Sequence, residues 1–329
     1  MKDKTMKCIK LLCIVAVLCG FSVVGFAQTL QEVVDARNKG SELMAAGDLD
    51  GAIAEFEKCV DLAKKVGEDA EEHQILVENN LPNLYLTKAT KINATKDYPA
   101  TLKALDATVA AAEKYNNPDV KGKAEKTIPQ IYLAMGIADY SAKKYDEAIQ
   151  NLDQAVARDP NMANAYFIKG VCYQTLADEA NMAENYMQAI EKANATGDAA
   201  TFQKAQSALS KYYYNAGITA RKAQKWDDAI VAFTKTVEVD NQNADAFYAM
   251  AGCYNSKKNF DQAIASCEKA LELRAGAESK AFDPIYYELG TAYAGKKDNG
   301  KACDCFKKIV NEPFLASAKY QIETALKCK

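Results

Sequence analysis

A short pattern recurs along the chain, and this recurrence constrains the fold more than any other feature. It consists of a polar turn, an aromatic residue or Leu, two mostly acidic or polar residues, and then Ala-Ile. The pattern occurs at 47–53, 144–149, 225–230 and 259–264. A small residue lies nine positions before the aromatic residue or Leu in each copy, namely Gly40, Gly136, Gly217 and Ala251. A recurring unit of this kind indicates an array of repeats rather than one large domain.

These segments resemble the tetratricopeptide repeat (TPR), a 34-residue helix-turn-helix family. Seven units can be placed, starting near Val33, Pro82, Pro129, Ala163, Ser210, Ala244 and Asp283. Small residues recur at positions 8, 20 and 27 of the units, where they let helices A and B of one hairpin pack closely. The least typical residues are Thr101 and Thr108 in the second unit and Met182 in the fourth.

The resemblance implies an all-α fold, a right-handed superhelical α-solenoid of about seven hairpins. We expect this solenoid to cover residues 28–313 and a C-terminal capping helix to cover residues 314–329. Extra residues precede three of the units, around 67–81, 116–128 and 195–209, and they suit either lengthened helices or short crossovers. Pro82 and Pro129 are expected in the first turn of a helix A, a position that suits proline.

The N-terminal segment has the pattern of a secretory signal peptide. Four lysines precede an uncharged apolar run over residues 11–24, and small residues at 25 and 27 provide a cleavage site before Gln28. We therefore predict that residues 1–27 are removed and that the protein is exported to the periplasm or the outer-membrane periphery of a bacterium. An uncleaved membrane anchor is the alternative. A lipoprotein would need a small residue before its acceptor cysteine, but Leu12 and Leu18 precede Cys13 and Cys19.

The composition argues against catalysis. His73 is the single histidine in 329 residues, so no catalytic triad or multi-histidine zinc site can be built without it. Phosphate-binding, dinucleotide-binding and hydrolase motifs do not occur. The formal net charge of −3 argues against nucleic acid as a partner. We therefore predict no enzymatic activity, no catalytic residue, no metal site and no cofactor.

The family resemblance implies that a partner binds along helix A, at positions 2, 5, 9, 12 and 13 of each unit. Position 5 carries Arg37, Leu86, Leu133, Phe167, Tyr214, Tyr248 and Tyr287. Family members that bind chaperones hold a C-terminal carboxylate with Lys at position 5 and Asn at position 9; this pair is absent, so that role is not transferred. The candidate groove is aromatic and aliphatic with interspersed amide and Arg side chains: Leu133, Ile137, Tyr140, Phe167, Gln174, Tyr214, Arg221, Tyr248, Asn255 and Tyr287. Alternatively, the tyrosines only cover the seam between helices.

Seven cysteines follow the predicted signal peptide. Cys59, Cys172, Cys253 and Cys267 lie at packing positions, where cysteine acts as a small apolar residue. If the last two helices form an antiparallel hairpin, Cys328 lies near Cys303, and an oxidising compartment would allow a disulfide between them.

Together these features predict a non-enzymatic scaffold that binds a protein or peptide in the bacterial cell envelope. It would contact the membrane only through that partner or through an uncleaved anchor. Two alternatives remain open: a module that binds glycans or cell-wall polymers, and a structural subunit that assembles with itself.

Overall fold

The computed structural model describes residues 30–328, and all regular structure among them is helical. The predicted signal peptide lies outside these residues. No helix between residues 30 and 328 is both long and apolar enough to cross a bilayer. The chain divides after Pro160 into two compact units, which we call the N-terminal and C-terminal units.

The N-terminal unit contains three helical hairpins, with helix A first in each. They are α1 (30–46) with α2 (Leu49–Val66), α3 (Glu71–Ala94) with α4 (Tyr98–Lys114), and α5 (Pro118–Ser141) with α6 (Tyr145–Arg158). A short 3₁₀ turn, Glu68–Ala70, precedes α3.

The C-terminal unit contains four hairpins. They are α7 (Ala163–Thr175) with α8 (Glu179–Thr196), α9 (Ala199–Lys222) with α10 (Trp226–Val239), α11 (Ala244–Ser256) with α12 (Phe260–Leu273), and α13 (Asp283–Gly295) with α14 (Asn299–Lys307). A 3₁₀ turn, Ser279–Ala281, precedes α13, while α15 (Phe314–Tyr320) and a π turn (Gln321–Ala325) follow α14. Helices A of successive hairpins contact one another: α7 with α9, α9 with α11, and α11 with α13. The predicted α-solenoid of hairpins is thus confirmed.

The small repeat positions bring helices A and B together. Positions 8, 20 and 27 are buried in all seven repeats, including Met182 and the two threonines of the second repeat. At Gly217, position 8 of the fifth repeat, a side chain would not fit: a Cβ there would lie 2.5 Å from Cε1 of Phe233 on the facing helix. The close approach inferred from the repeat pattern is therefore a requirement of the packing.

Each hairpin turns through one residue of left-handed backbone at position 15. Its φ is positive in all seven repeats, at Gly47, Lys96, Lys143, Ala177, Gln224, Lys258 and Lys297. Asp or Asn often follows as the N-cap of helix B: Asp48, Asp97 and Asp178, for example, accept hydrogen bonds from the amides of Gly51, Ala100 and Asn181.

The extra residues between repeats are helical, so the first of the two sequence-based alternatives holds. Helices A α3, α5 and α9 each have 24 residues, whereas α7, α11 and α13 have 13. Each long helix A follows a long helix B: α2, α4 and α8 have 18, 17 and 18 residues, against 14 in α6, α10 and α12. The added turns bury residues four apart, such as Val120, Ala124 and Ile128 in α5. In the described chain, a lengthened helix B is thus matched by a lengthened helix A beside it.

The prediction that Pro82 and Pro129 begin a helix A is wrong. Both lie in the interior of long helices, α3 and α5, and both are buried. Each proline removes one backbone hydrogen bond from its helix. The apolar stripe upstream, for example Val77 and Leu81 before Pro82, packs against α2 and compensates for that loss.

Near the C-terminus the sulfurs of Cys303 on α14 and Cys328 are joined in a disulfide, with Cα atoms 5.8 Å apart. The bond connects α14 to the segment that follows α15. Ala318 of α15 is buried with Phe306 and Ile309, so α15 covers the end of the last repeat.

Candidate partner-binding surface

The candidate groove residues all lie on helices A, and the structure places them in two sets. Leu133, Ile137 and Tyr140 lie on α5 of the N-terminal unit. The other seven lie on α7, α9, α11 and α13 of the C-terminal unit, whose mutual contacts create one continuous surface. We call this second surface the C-terminal helix-A face, and it is described separately.

On α5 the three residues form a half-exposed apolar strip. Leu133 and Tyr140 are half-buried, and Ile137 is 38% exposed. The Tyr140 ring packs against Tyr145 at the start of α6, with ring centroids 5.8 Å apart. Tyr140 therefore stabilises the hairpin turn and is half-buried there.

Most aromatic residues at position 5 of the C-terminal unit pack against position 24 of their own repeat. Phe167 contacts Tyr186, Tyr214 contacts Phe233, and Tyr287 contacts Phe306, with ring centroids 5.6–5.8 Å apart. Tyr287 also contacts Phe314 of α15. The rings at position 5 are half-buried, so they support the hairpin seam and also form the floor of the helix-A face.

At one end of the C-terminal helix-A face, α7 and α9 enclose a groove of about 480 Å³. Gln174, Lys211, Tyr212, Asn215 and Thr219 are among its lining residues. The Gln174 carbonyl oxygen accepts a 2.7 Å hydrogen bond from the Tyr186 hydroxyl, which fixes the amide at the groove wall. The groove offers amide, hydroxyl and ammonium groups to a ligand and no carboxylate.

The most unusual group on this face is a polar cluster on α9, α11 and α13. The Asn255 amide nitrogen donates to the Glu288 carboxylate at 2.8 Å and to the Glu288 main-chain carbonyl at 2.9 Å. The Asn255 carbonyl oxygen is buried and lacks a hydrogen-bond partner among the described residues. A buried acceptor without a donor is costly, so the Asn255 amide is an unfavourable element in the packing of this face.

Glu288 is a member of this cluster that sequence reasoning missed. It lies at position 6, next to the positions that the family resemblance singles out, on α13, the next helix A after the one that holds Asn255. Gly252 makes room for it, because a Cβ there would lie 3.3 Å from the Glu288 Oε1. A glycine at position 9 facing an acidic residue in the next helix A was the signal available in the sequence.

Burial and two neighbours set the charge of this cluster. Burial raises the pKa of Glu288, and the Asn255 hydrogen bond and the positive charge of Arg221 counter this in part. Burial and then the Glu288 charge raise the pKa of the Tyr248 phenol, which the Arg221 charge lowers. Tyr248, Arg221, Asn255 and Glu288 thus form one cluster that combines a phenol, a guanidinium, an amide and a carboxyl group.

No group of three His, Cys, Asp or Glu side chains in residues 30–328 is arranged to hold a metal ion.

Comparison with known proteins assigns the family. Models of the tetratricopeptide repeat match residues 38–66, 133–180, 214–278 and 283–311, which together exceed half of the chain. The chain belongs to the tetratricopeptide repeat family.

Individual relatives are distant. Sperm-associated antigen 1 of Homo sapiens is 22% identical over 310 residues, which cover 91% of this chain and 32% of that protein. The chain thus spans about a third of the length of this curated relative. The TPR2AB domain of yeast Sti1 in complex with pHSP90 is 17% identical, with a TM-score of 0.29, covering 89% of this chain and 92% of that one. YrrB, a TPR protein with an unusual peptide-binding site, is 21% identical with a TM-score of 0.31, covering 59% of this chain and 91% of that one.

Proposed function

We propose that the chain is a non-enzymatic scaffold that holds a segment of a protein partner on the C-terminal helix-A face. The observation that carries this proposal is the polar cluster around Asn255. Glu288 and Arg221 of this cluster are an acidic and a basic group that can pair with the charged side chains of a peptide. The half-buried tyrosines beside the cluster suit apolar anchors.

Membership of the tetratricopeptide repeat family supports this proposal, because its repeats are generally protein-interaction modules. YrrB is described as having a peptide-binding site, and the Sti1 domain was solved in a complex with pHSP90. We propose that this chain also binds a peptide, and we name no particular peptide.

The experiment is affinity capture from an envelope extract of the source organism, with mass spectrometry of the retained proteins. A double variant Tyr248→Ala/Tyr287→Ala would remove two aromatic residues of the candidate groove. However, Tyr287 packs against Phe306 and Phe314, so its loss would disturb the end of the last repeat. Tyr248→Ala/Arg221→Gln is the better test because it alters the cluster and leaves those ring contacts intact.

A matched control uses apolar side chains on helices B. Met187→Ala/Val231→Ala changes two residues that are 56% and 57% exposed on α8 and α10. The proposal requires a partner that is retained by the wild type and the control and lost by the cluster variant. Equal capture by all three proteins would refute it.

We also propose export to the periplasm or outer-membrane periphery. The lysine-rich start, the apolar run and the small residues before Gln28 support export, and a disulfide between Cys303 and Cys328 suits an oxidising compartment. N-terminal sequencing of the protein from fractionated cells tests this directly. A cytoplasmic protein that retains Met1 would contradict the proposal, and a membrane-bound protein that retains residues 1–27 would favour the anchor.

A further inference from the structure

A second concave site lies in the N-terminal unit, away from the candidate groove residues. It is a cavity of about 500 Å³ between α1 and α3, and the lengthened part of α3 forms one wall. Its apolar lining consists of Met44, Phe56, Leu76, Val77 and Leu84. Met44 is 48% exposed and Leu76 is 51% exposed, so both offer apolar surface to a ligand in this cavity. Cavities of this size and character are typical of small-ligand sites.

The floor of the cavity is rigid. Phe56 on α2 is only 8% exposed and lies against Gly40 of α1, where a Cβ would approach the Phe56 ring to 2.7 Å. Val77 and Leu84 on α3 are 3% and 7% exposed and belong to the same core. An apolar ligand would thus meet a preformed surface and would cover the exposed Met44 and Leu76.

The rim of the cavity carries one charge. Arg37 on α1 is the single charged residue among its lining residues, and the polar remainder is neutral: Asn38, Ser41, Asn80, Asn83 and Thr87. The Arg37 guanidinium bonds His73 Nδ1 at 2.9 Å and the Asn38 carbonyl oxygen at 3.2 Å. Neither partner is a carboxylate, and no ion pair within residues 30–328 includes Arg37. This half-buried cation therefore has no carboxylate partner among residues 30–328, in a chain whose net charge is negative.

We infer that this cavity binds an aliphatic monocarboxylate, with the chain on Phe56, Leu76 and Leu84 and the carboxylate on Arg37. A guanidinium and a carboxylate form the strongest type of hydrogen bond available at such a rim. Asn80 and Asn83 on α3 also line the cavity, and their amide side chains are uncharged groups that can hydrogen-bond the ligand. The site is independent of partner capture by the C-terminal helix-A face, because it belongs to another unit.

Isothermal titration calorimetry of the full mature chain with sodium octanoate tests the inference. Octanamide is the neutral analogue and acetate supplies the charge without the chain. We expect saturable binding of one octanoate per chain, binding of octanamide about tenfold weaker or more, and no detectable binding of acetate.

Two variants assign the site. Arg37→Gln is expected to weaken octanoate binding about tenfold and to leave octanamide binding unchanged, whereas Leu76→Asn is expected to weaken both. Arg158→Gln is the matched control, since Arg158 is an exposed guanidinium on α6 of the same unit. Circular dichroism of each variant checks that the helices are retained.

Three results would overturn the inference. They are no saturable octanoate binding by the wild type, equal loss of affinity in the Arg37 and Arg158 variants, and equal affinity of the wild type for octanoate and octanamide. The first rejects the ligand class, the second rejects the location, and the third rejects the role of the Arg37 charge.

Discussion

Gly136 on α5 lies directly against Leu152 on α6: a Cβ on Gly136 would be 2.6 Å from Leu152 Cγ and 3.2 Å from the Ala148 carbonyl oxygen. Leu152 is fully buried, so neither the side chain nor the backbone of α6 can move aside at low cost. This contact fixes the distance between the two helices of the third repeat. The glycine at position 8 is therefore set by space rather than by backbone conformation.

We predict that Gly136→Ala lowers the free energy of unfolding by about 1–3 kcal/mol, as overpacking of a close-packed core does. Gly122 in the same helix is the matched control, because nothing lies within 4 Å of a Cβ built there. Gly122→Ala should raise stability by about 0.5–1 kcal/mol through helix propensity. Urea titration followed by circular dichroism measures both changes, and equal effects of the two substitutions would contradict the packing argument.

Glu288 provides a pH prediction. Because burial raises its pKa above the ordinary value of 4.5, the folded state binds this proton more readily than the unfolded state does. The charged carboxylate therefore destabilises the fold at neutral pH, and this effect disappears as the pH falls through the raised pKa. We expect Glu288→Gln to be more stable than the wild type near pH 7.

The difference between Glu288→Gln and the wild type should shrink towards acidic pH. Thermal unfolding at a series of pH values measures this difference, with Glu184→Gln, at an exposed position on α8, as the control. A difference that does not vary with pH would mean that Glu288 is not desolvated.

The free thiols are expected to be unreactive in the folded protein. Cys59, Cys172, Cys253, Cys267 and Cys305 are buried. Burial raises the pKa of Cys172, Cys253 and Cys305 to about 11 each, so little thiolate is present at neutral pH. Iodoacetamide at pH 8 should label these five sites at least tenfold more slowly in native protein than in urea, as judged by peptide mass spectrometry. Rapid native labelling of any of them would show that its helix pair opens.

The pairing of Cys303 with Cys328 predicts a redox-dependent stability. A bond that closes a 25-residue separation typically contributes about 2–4 kcal/mol. We expect dithiothreitol to lower the midpoint of unfolding of the wild type and to leave Cys303→Ser/Cys328→Ser unchanged. Alkylation without reduction gives the direct check, because labelling of both thiols would show that the disulfide does not form.

Much of the fold follows from the sequence because its decisive interactions are short in range. Position 8 faces position 24 of the same hairpin, as in Gly217 with Phe233, so a 34-residue pattern contains the whole contact. The residues at which the long helices begin were harder to predict from the sequence. Proline normally favours the first turn of a helix, and only the buried stripe through Val77 and Leu81 shows that α3 continues across Pro82.

The candidate site was only partly predictable. Tyr248, Arg221 and Asn255 occupy positions that the family resemblance identifies, and the structure brings them together with Glu288. Glu288 and the buried Asn255 carbonyl oxygen depend on side-chain directions between neighbouring repeats, which no single repeat encodes. The cavity beside Arg37 depends likewise on the lengthened α3, and the repeat pattern alone does not contain it.

The paired lengthening of α4 and α5 has a consequence for engineering this protein. Residues Val120, Ala124 and Ile128 of α5 are buried, and Ala124 and Ile128 pack with Leu105 of α4, so removing turns from either helix alone would expose apolar surface on the other. The exchangeable module is therefore a helix B together with the helix A that follows it, rather than the hairpin defined by the sequence repeat. Grafting or deleting segments at hairpin turns, such as Lys143, would keep each such pair intact.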